Sequence, residues 1–267
     1  MFNLNEGILA LITPSSLEVW QSVLISVLTV LGAMLVGYLL GSVNSAIIIS
    51  RVLFRDDIRR HGSGNAGLTN MLRTYGKGAA GLTLLGDFLK TALSILIMGI
   101  VGGFGYVGGI SVGAGPNNPF PLVYIAGVFS VIGHIFPVYY KFKGGKGVLC
   151  TAVMALILTP VEFLILLLLF AGVVFASKYV SLGSVSAAVL YPVAVHGHFT
   201  VAFGGGSMPG IVALIVITLA ILIVYCHREN LKRISNGTER KLSIGKRPEA
   251  PKDDGADDGD NGEGDNT

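Results

Sequence analysis

Lys146 stands between glycines in "FKGGKGVLC" (142–150), with Lys141 and Lys143 close by. Backbone N–H groups bared at Gly144, Gly145 and Gly147, with an ammonium among them, make a cradle for phosphate oxygens. The same stretch also reads as a tight turn whose lysines set membrane topology. It is not a nucleotide loop, because the glycine spacing differs and Gly147 occupies the place of the Ser or Thr that would bind magnesium. No acidic metal partner follows it, so ATP hydrolysis is excluded. A second cluster, "DDIRRHGSGNAGLTNMLRTYGKGAAG" (56–81), packs Gly62, Gly64 and Gly67 among Ser63, Asn65, Thr69 and Asn70. Glycines before a helix start suit an anion, and "TNMLR" predicts a capped start with Arg73 one turn in. A third, "CHRENLKRISNGTERKL" (226–242), puts His227 and Asn230 three apart, on one face of a continuing helix, followed by Arg228, Lys232 and Arg233. Its plainer reading is a basic helix lying on anionic lipid.

These clusters lie in a chain that is 52% hydrophobic and only 13% charged. Apolar runs over 20–50, 80–101, 121–140, 147–158, 161–177, 183–197 and 210–226 predict an all-α integral membrane protein with about seven transmembrane helices. The first run is too long for one straight span. Gly37, Gly41 and Asn44 predict tilt or a break near "GSVNS" (41–45). The fourth is short and ends at "TP" (159–160), which predicts a tight hairpin into the fifth.

Charge orients the bundle. Of the 19 lysines and arginines, Lys90 lies inside a span; all others fall in 51–77, 141–146, at Lys178 or in 228–252. Segments 1–19, 102–120 and 198–209 carry none. The positive-inside rule therefore predicts an external N-terminus, a cytoplasmic C-terminus and every polar cluster on the cytoplasmic face. No removable signal peptide is expected. Ser181, at the start of "YVSLGSVSAA" (179–188), either caps a helix or turns its hydroxyl to the shared cavity. Asp87 and Lys90 read as a structural intramembrane ion pair, and His134 as a packing histidine. His196 and His198 fall on the outer side without metal-ligand spacing. Cys150 and Cys226 read as small packing residues.

Residues 1–248 form one membrane domain. Residues 249–267 differ in kind: they hold half of the 16 acidic residues and too little apolar surface to fold, so a disordered acidic tail is expected. Without it the chain is strongly basic, which suits anionic lipid and anionic substrates.

"GSGNAGLTNMLR", "GHIFPVYYKFKGGKG", "YVSLGSVSAA" and "HRENLKRISNGTE", in that order and spacing, resemble the bacterial acyl-phosphate:glycerol-3-phosphate acyltransferases from about Gly41 to Glu239. The resemblance implies a seven-helix protein of the bacterial inner membrane with a cytoplasmic active site. It implies transfer of a fatty acyl group from acyl phosphate to glycerol 3-phosphate, giving lysophosphatidate, with the soluble enzyme that makes acyl phosphate as a partner. It assigns Ser63 and Arg73 to phosphate and the acyl donor, the Gly144–Gly147 loop with Lys146 to phosphate, and matches His227, Asn230 and Ser181 to functional positions. Gly62, Gly64, Asn65, Asn70 and Arg228 complete the expected binding set. The chain departs from the family pattern at Asn44, where Pro is usual, at Thr91 in "DFLKT", and at Leu149 and Cys150, where smaller residues are usual.

No metal, cofactor or nucleic acid is called for. None of the five histidines has an aspartate five positions on, which argues against acyltransferases that use acyl-CoA. His227 is either the base or a positioner of glycerol 3-phosphate, because an acyl-phosphate oxygen can itself take the proton. The rival class, a carrier of a phosphorylated metabolite, predicts polar groups at mid-bilayer and paired repeats, which the sequence lacks. A non-catalytic scaffold has no use for three Gly/Asn clusters.

Overall fold

The computed structural model describes residues 8–9, 18–103, 122–202 and 210–242. The acidic tail 249–267 lies outside them. The described chain is all helical: α1 (Val19–Ser42), α2 (Ser45–Phe54), α3 (Leu68–Gly102), α4 (Leu122–Ile135), α5 (Val148–Leu158), α6 (Pro160–Ser177), α7 (Val180–Ala202), α8 (Gly210–Cys226) and α9 (Arg228–Ser235). α1 exposes Leu24, Leu28, Leu31 and Leu35 along its length, a surface only lipid would tolerate.

Among the described residues five elements are long and apolar enough to cross a bilayer, or six if the bent pair α8–α9 counts as one span. A count of seven needs α5, which has 11 residues. At about 1.5 Å per residue it reaches about 16 Å, half a bilayer core. α5 and α6 meet at Thr159 with Pro160 as the first residue of α6, the expected hairpin.

The expected break near "GSVNS" falls at Val43–Asn44, between α1 and α2. Asn44 Oδ1 accepts from the Ile47 amide (3.1 Å) and caps α2, while its Nδ2 donates to the Ala66 carbonyl (3.3 Å). The Val43 carbonyl, left without a helical donor, accepts from Lys90 Nζ (2.8 Å). So the Asn that departs from the family pattern both starts a helix and ties the break to the second cluster. α3 changes course at Gly76 (φ 85°, ψ −170°), which separates the short Leu68–Tyr75 segment from the span proper.

α1 and α4 cross with almost no side chain between them. A Cβ at Gly37 or Gly41 would strike the Ala126 or Ser130 carbonyl, and one at Gly133 would strike the Tyr38 carbonyl. The four-residue glycine spacing on α1 is the small-residue stripe that lets membrane helices approach closely. Gly41→Ala is therefore expected to destabilise by about 1–3 kcal/mol through overpacking, read as a lower thermal midpoint in detergent. Gly32→Ala, on the same helix with nothing within 4 Å, is expected to leave the midpoint unchanged or raise it. Equal midpoints for the two variants would show that the crossing is not close-packed.

Candidate active site

Two loops are built against one buried ion cluster. Lys90 Nζ lies 2.8 Å from Asp87 Oδ1 and 2.9 Å from His134 Nδ1, with Asp87 and Lys90 almost wholly inaccessible. An ammonium has donors only, so His134 Nδ1 accepts here. The other edge of His134 supports the Gly-Lys loop: its carbonyl accepts from the Gly145 amide (3.0 Å), and a Cβ at Gly145 would strike its Nε2. The second cluster docks beside it. Asp57 holds Arg59 (2.7 Å), and Arg59 Nη1 donates to the Tyr140 (3.1 Å) and Lys143 (3.3 Å) carbonyls. Asn70 shapes the Gly62–Gly64 turn: its Oδ1 accepts from the Ser63 amide (3.0 Å), and its Nδ2 donates to the Ile58 (3.2 Å) and His61 (2.9 Å) carbonyls. Gly62 has φ +59°, and a Cβ there would strike Asn70 Oδ1, so only glycine fits.

Facing these loops, Glu239 organises a polar web. Its Oε1 accepts from Ser181 Oγ (2.8 Å) and Asn230 Nδ2 (2.7 Å), and its Oε2 from Arg233 Nε (2.7 Å). Asn230 Oδ1 in turn accepts from Lys146 Nζ. Burial alone would raise the Glu239 pKa, but the bonds from Asn230, Arg233 and Ser181 outweigh it and hold the carboxyl below its usual value. Burial pushes the Lys146 ammonium down to about 8; Glu239 pulls the other way, while Arg233 and Arg73 add to the depression. Burial and the Lys146 charge bring His227 to about 4. His227 sits where α8 and α9 bend by 52°, and its Nδ1 meets the Ile223 carbonyl (2.8 Å), so neutral His227 offers its Nε2 lone pair.

One cavity of about 800 Å³ joins this web to the bundle interior. Ser63, Asn65, Arg73, Lys146, His227 and Asn230 line its mouth. Below them, apart from Asp87, His134, Thr151 and Ser184, the walls are apolar: Leu84 and Phe88 of α3, the 148–156 face of α5, the 163–170 face of α6 and the α7 alanines. The start of α5 points its unpaired first-turn amides, Gly147 included, at the junction of the two regions. A charged head and a hydrocarbon tail thus fit in one pocket.

The sequence model of the family described as Glycerol-3-phosphate acyltransferase matches residues 31–237. The chain belongs to the glycerol-3-phosphate acyltransferase family. A glycerol-3-phosphate acyltransferase of Syntrophomonas wolfei subsp. wolfei is 42% identical over 206 residues, covering 77% of this chain and 93% of that protein. Another, of Mycoplasmopsis agalactiae, is 41% identical over 250 residues, covering 85% and 99%. Among solved structures, the glycerol 3-phosphate form of PlsY (YgiH), an integral membrane glycerol 3-phosphate acyltransferase, superposes with a TM-score of 0.66 at 31% identity. It covers 80% of this chain and 96% of that one. The lysophosphatidic acid form gives 0.64 at 30% identity, covering 80% and 95%. The protein is an integral membrane acyltransferase, as the four motifs implied.

Not every expected site residue of this acyltransferase reaches the cavity. Ser63, Arg73, Lys146, Gly147, Ser181, His227 and Asn230 line it, with Gly62, Asn65 and Asn70. Gly64, Gly144 and Gly145 do not. The Gly144 and Gly145 amides are spent on the Ile135 (3.2 Å) and His134 (3.0 Å) carbonyls, so of the three cradle amides only that of Gly147 is left for a ligand. Asn70, its amide fully used within the turn, acts as scaffold. Arg228 is exposed, stacked 4.2 Å over Tyr225 and donating to its carbonyl, because the end of α8 offers both an aromatic face and bare carbonyls. The α3 cap is Gly67, not Thr69, and Ser181 lies within α7 with its hydroxyl turned to Glu239. His134 is no mere packing residue. Arg233 and Glu239, unassigned in the sequence reading, both line the cavity. Repeating the three-residue step from Asn230 reaches Arg233; no local pattern leads to Glu239.

Lys90→Met would strand the Asp87 carboxylate and the Val43 carbonyl in an apolar interior. The expected loss is about 3–5 kcal/mol of stability, seen as a lower thermal midpoint and reduced folded yield in detergent. An unchanged midpoint would show that the cluster does not hold the loops.

Proposed function

We propose that this acyltransferase moves a fatty acyl group from acyl phosphate to glycerol 3-phosphate, releasing lysophosphatidate and inorganic phosphate in phospholipid synthesis. The observation that carries the reading is the continuity of a cation-rich mouth with an apolar trough. Arg73, Lys146, Arg233 and Arg240 line that mouth and outnumber Glu239. Both proposed substrates are anionic, and such a surplus offsets their mutual repulsion. The glycerol 3-phosphate and lysophosphatidic acid forms of the similar PlsY match the acceptor and product proposed here. The soluble source of acyl phosphate would deliver its product to this mouth.

The trough receives the chain, and the acyl carbonyl comes to rest near the start of α5. Arg73, the Gly147 amide and the Ser63 hydroxyl hold the phosphate of acyl phosphate, and Lys146 holds that of glycerol 3-phosphate. The glycerol 3-phosphate hydroxyl attacks the acyl carbon; a C–O bond forms to it, and the bond from acyl carbon to phosphate oxygen breaks. The hydroxyl proton passes to the departing phosphate. His227, uncharged and without a carboxylate partner, orients the hydroxyl through Nε2 rather than storing its proton. This supports acyl phosphate as donor, since a good leaving group that accepts the proton needs no strong protein base.

The site opens at the end of the bundle that bears the basic loops. By the positive-inside rule it faces the cytoplasm across the bacterial inner membrane, with the N-terminus outside. The α5–α6 hairpin returns the chain to the side it left, so this orientation holds whether or not α5 crosses the whole bilayer.

Purified protein given acyl phosphate and labelled glycerol 3-phosphate is expected to form lysophosphatidate. Uptake of label into vesicles without product would favour a carrier instead. Lys146→Ala is expected to lower turnover roughly 10²–10³-fold; near-wild-type turnover would remove the loop from the site. With a pKa of about 8, Lys146 is charged below that pH and neutral above it. Glycerol 3-phosphate binding is thus full below pH 8, and KM is expected to rise about tenfold per unit above it. Lys146→Arg, charged throughout, is expected to abolish the rise whatever its absolute rate. A wild-type KM that stays flat across pH 8 would mean that the Lys146 charge does not hold the acceptor.

A further inference from the structure

The trough ends at a defined depth. On α7 its lining runs from Val180 to Tyr191 and no further; on α5 it stops at Leu156, on α6 at Phe163 and on α8 at Leu219. Along α7 that is about 15 Å of wall below the polar mouth. Tyr191 is 2% exposed and closes this end. Its hydroxyl lies 3.2 Å from Thr159 Oγ1 at the α5–α6 corner, and Thr159 is itself tied to the Ala155 carbonyl (3.3 Å). The ring is therefore held from a hairpin, not left to swing.

Polar ground lies beyond it. Glu162, 2% exposed, lies 2.6 Å from the His198 ring. A hydrocarbon end pushed past Tyr191 would have to displace the Thr159 contact and press against the polar Glu162–His198 contact, which returns nothing to a methylene. Higher in the trough the wall is made of Ala187 and Ala188, which leave it wide.

We propose that Tyr191 is the floor of the acyl trough and sets the longest chain this enzyme accepts. The inference rests on the acyl-transfer reading above and adds to it a specificity-determining residue. Ala188 sets the width one turn nearer the mouth. The hydroxyl of Tyr191 anchors the ring, while the ring itself meets the terminal methyl.

The test uses purified wild type, Tyr191→Ala, Tyr191→Phe and Ala188→Leu, each assayed with saturated acyl phosphates from decanoyl to stearoyl. Tyr191→Ala is expected to raise kcat/KM for a chain two methylenes longer, relative to the wild-type optimum, by about tenfold, the worth of burying two more methylenes. Tyr191→Phe keeps the ring and is expected to keep the wild-type profile. Ala188→Leu is expected to shift the optimum to shorter chains. If a folded Tyr191→Ala retains the wild-type profile, the chain does not end at this ring and the proposal is wrong, whatever Ala188→Leu does. Should Tyr191→Ala not fold, Ala188→Leu decides alone. Wild type that makes no product from any chain would instead overturn the acyl-transfer reading, a result distinct from an unmoved chain profile.

Discussion

The Lys90 ammonium, buried at the break between α1 and α2, is the constraint from which the site is built. It donates to the Val43 carbonyl at the break, pairs by charge with Asp87 one turn back on α3, and meets the His134 ring at the end of α4. A charge at such depth is expensive, and it persists only where it is both paired and hydrogen-bonded. What the arrangement contributes is register. Breaking α1–α2 at Val43 frees a carbonyl for Lys90 and lets Asn44 reach Ala66; fixing His134 fixes the strip of chain on which Gly144 and Gly145 lie. The two loops that hold Ser63 and Lys146 are thus referred to a single point.

That dependence changes the meaning of the glycines. In an isolated phosphate loop, glycine exposes amides to the ligand. Here Gly144 and Gly145 spend their amides on α4 and owe their identity to contact with the His134 carbonyl and ring. They bring Lys146 and Gly147 into place and do not themselves face the cavity. Glu239 plays the matching part on the other wall. A carboxylate among four cations looks unsuited to anionic substrates, yet it orients Ser181, Asn230 and Arg233 at once, and the remaining surplus of positive charge is still ample.

Local features were readable from the sequence where the chain itself pays the cost of irregularity: glycines and Asn44 inside an apolar run announced the break, and Thr159–Pro160 the hairpin. Charge placed the polar loops at one end, and the motif order carried the family. Features that depend on which loop docks on which were not readable. Asn70 looked like a ligand because its type fits one, but its partners Ile58 and His61 are chosen by a turn closed in three dimensions. Arg228 and Arg233 have the same chemistry and share α9; five residues apart, they lie about 140° apart around it, so one stacks on Tyr225 and the other reaches Glu239. The ion pair was legible as i, i+3 on a helix, whereas its third member, His134, lies 44 residues away and had no local signal.

The short α5 explains why such a site stands where a head group and a hydrocarbon chain can share it. α5 has 11 residues and α6 has 18, and they share one corner at Thr159. The cavity face of α5 begins at Val148, while that of α6 ends at Phe170, seven residues before the helix does at Ser177. At helical rise this sinks the start of α5 about 10 Å below the end of α6. A helix that spanned the bilayer would carry Lys146 out to bulk water, where its charge is screened and its amides hydrated. Sunk by two turns, the same lysine and the first-turn amides meet the boundary between polar mouth and apolar trough. The reacting carbon of any acyl group lies where its hydrocarbon chain meets its polar end, and that boundary offers both surroundings at once.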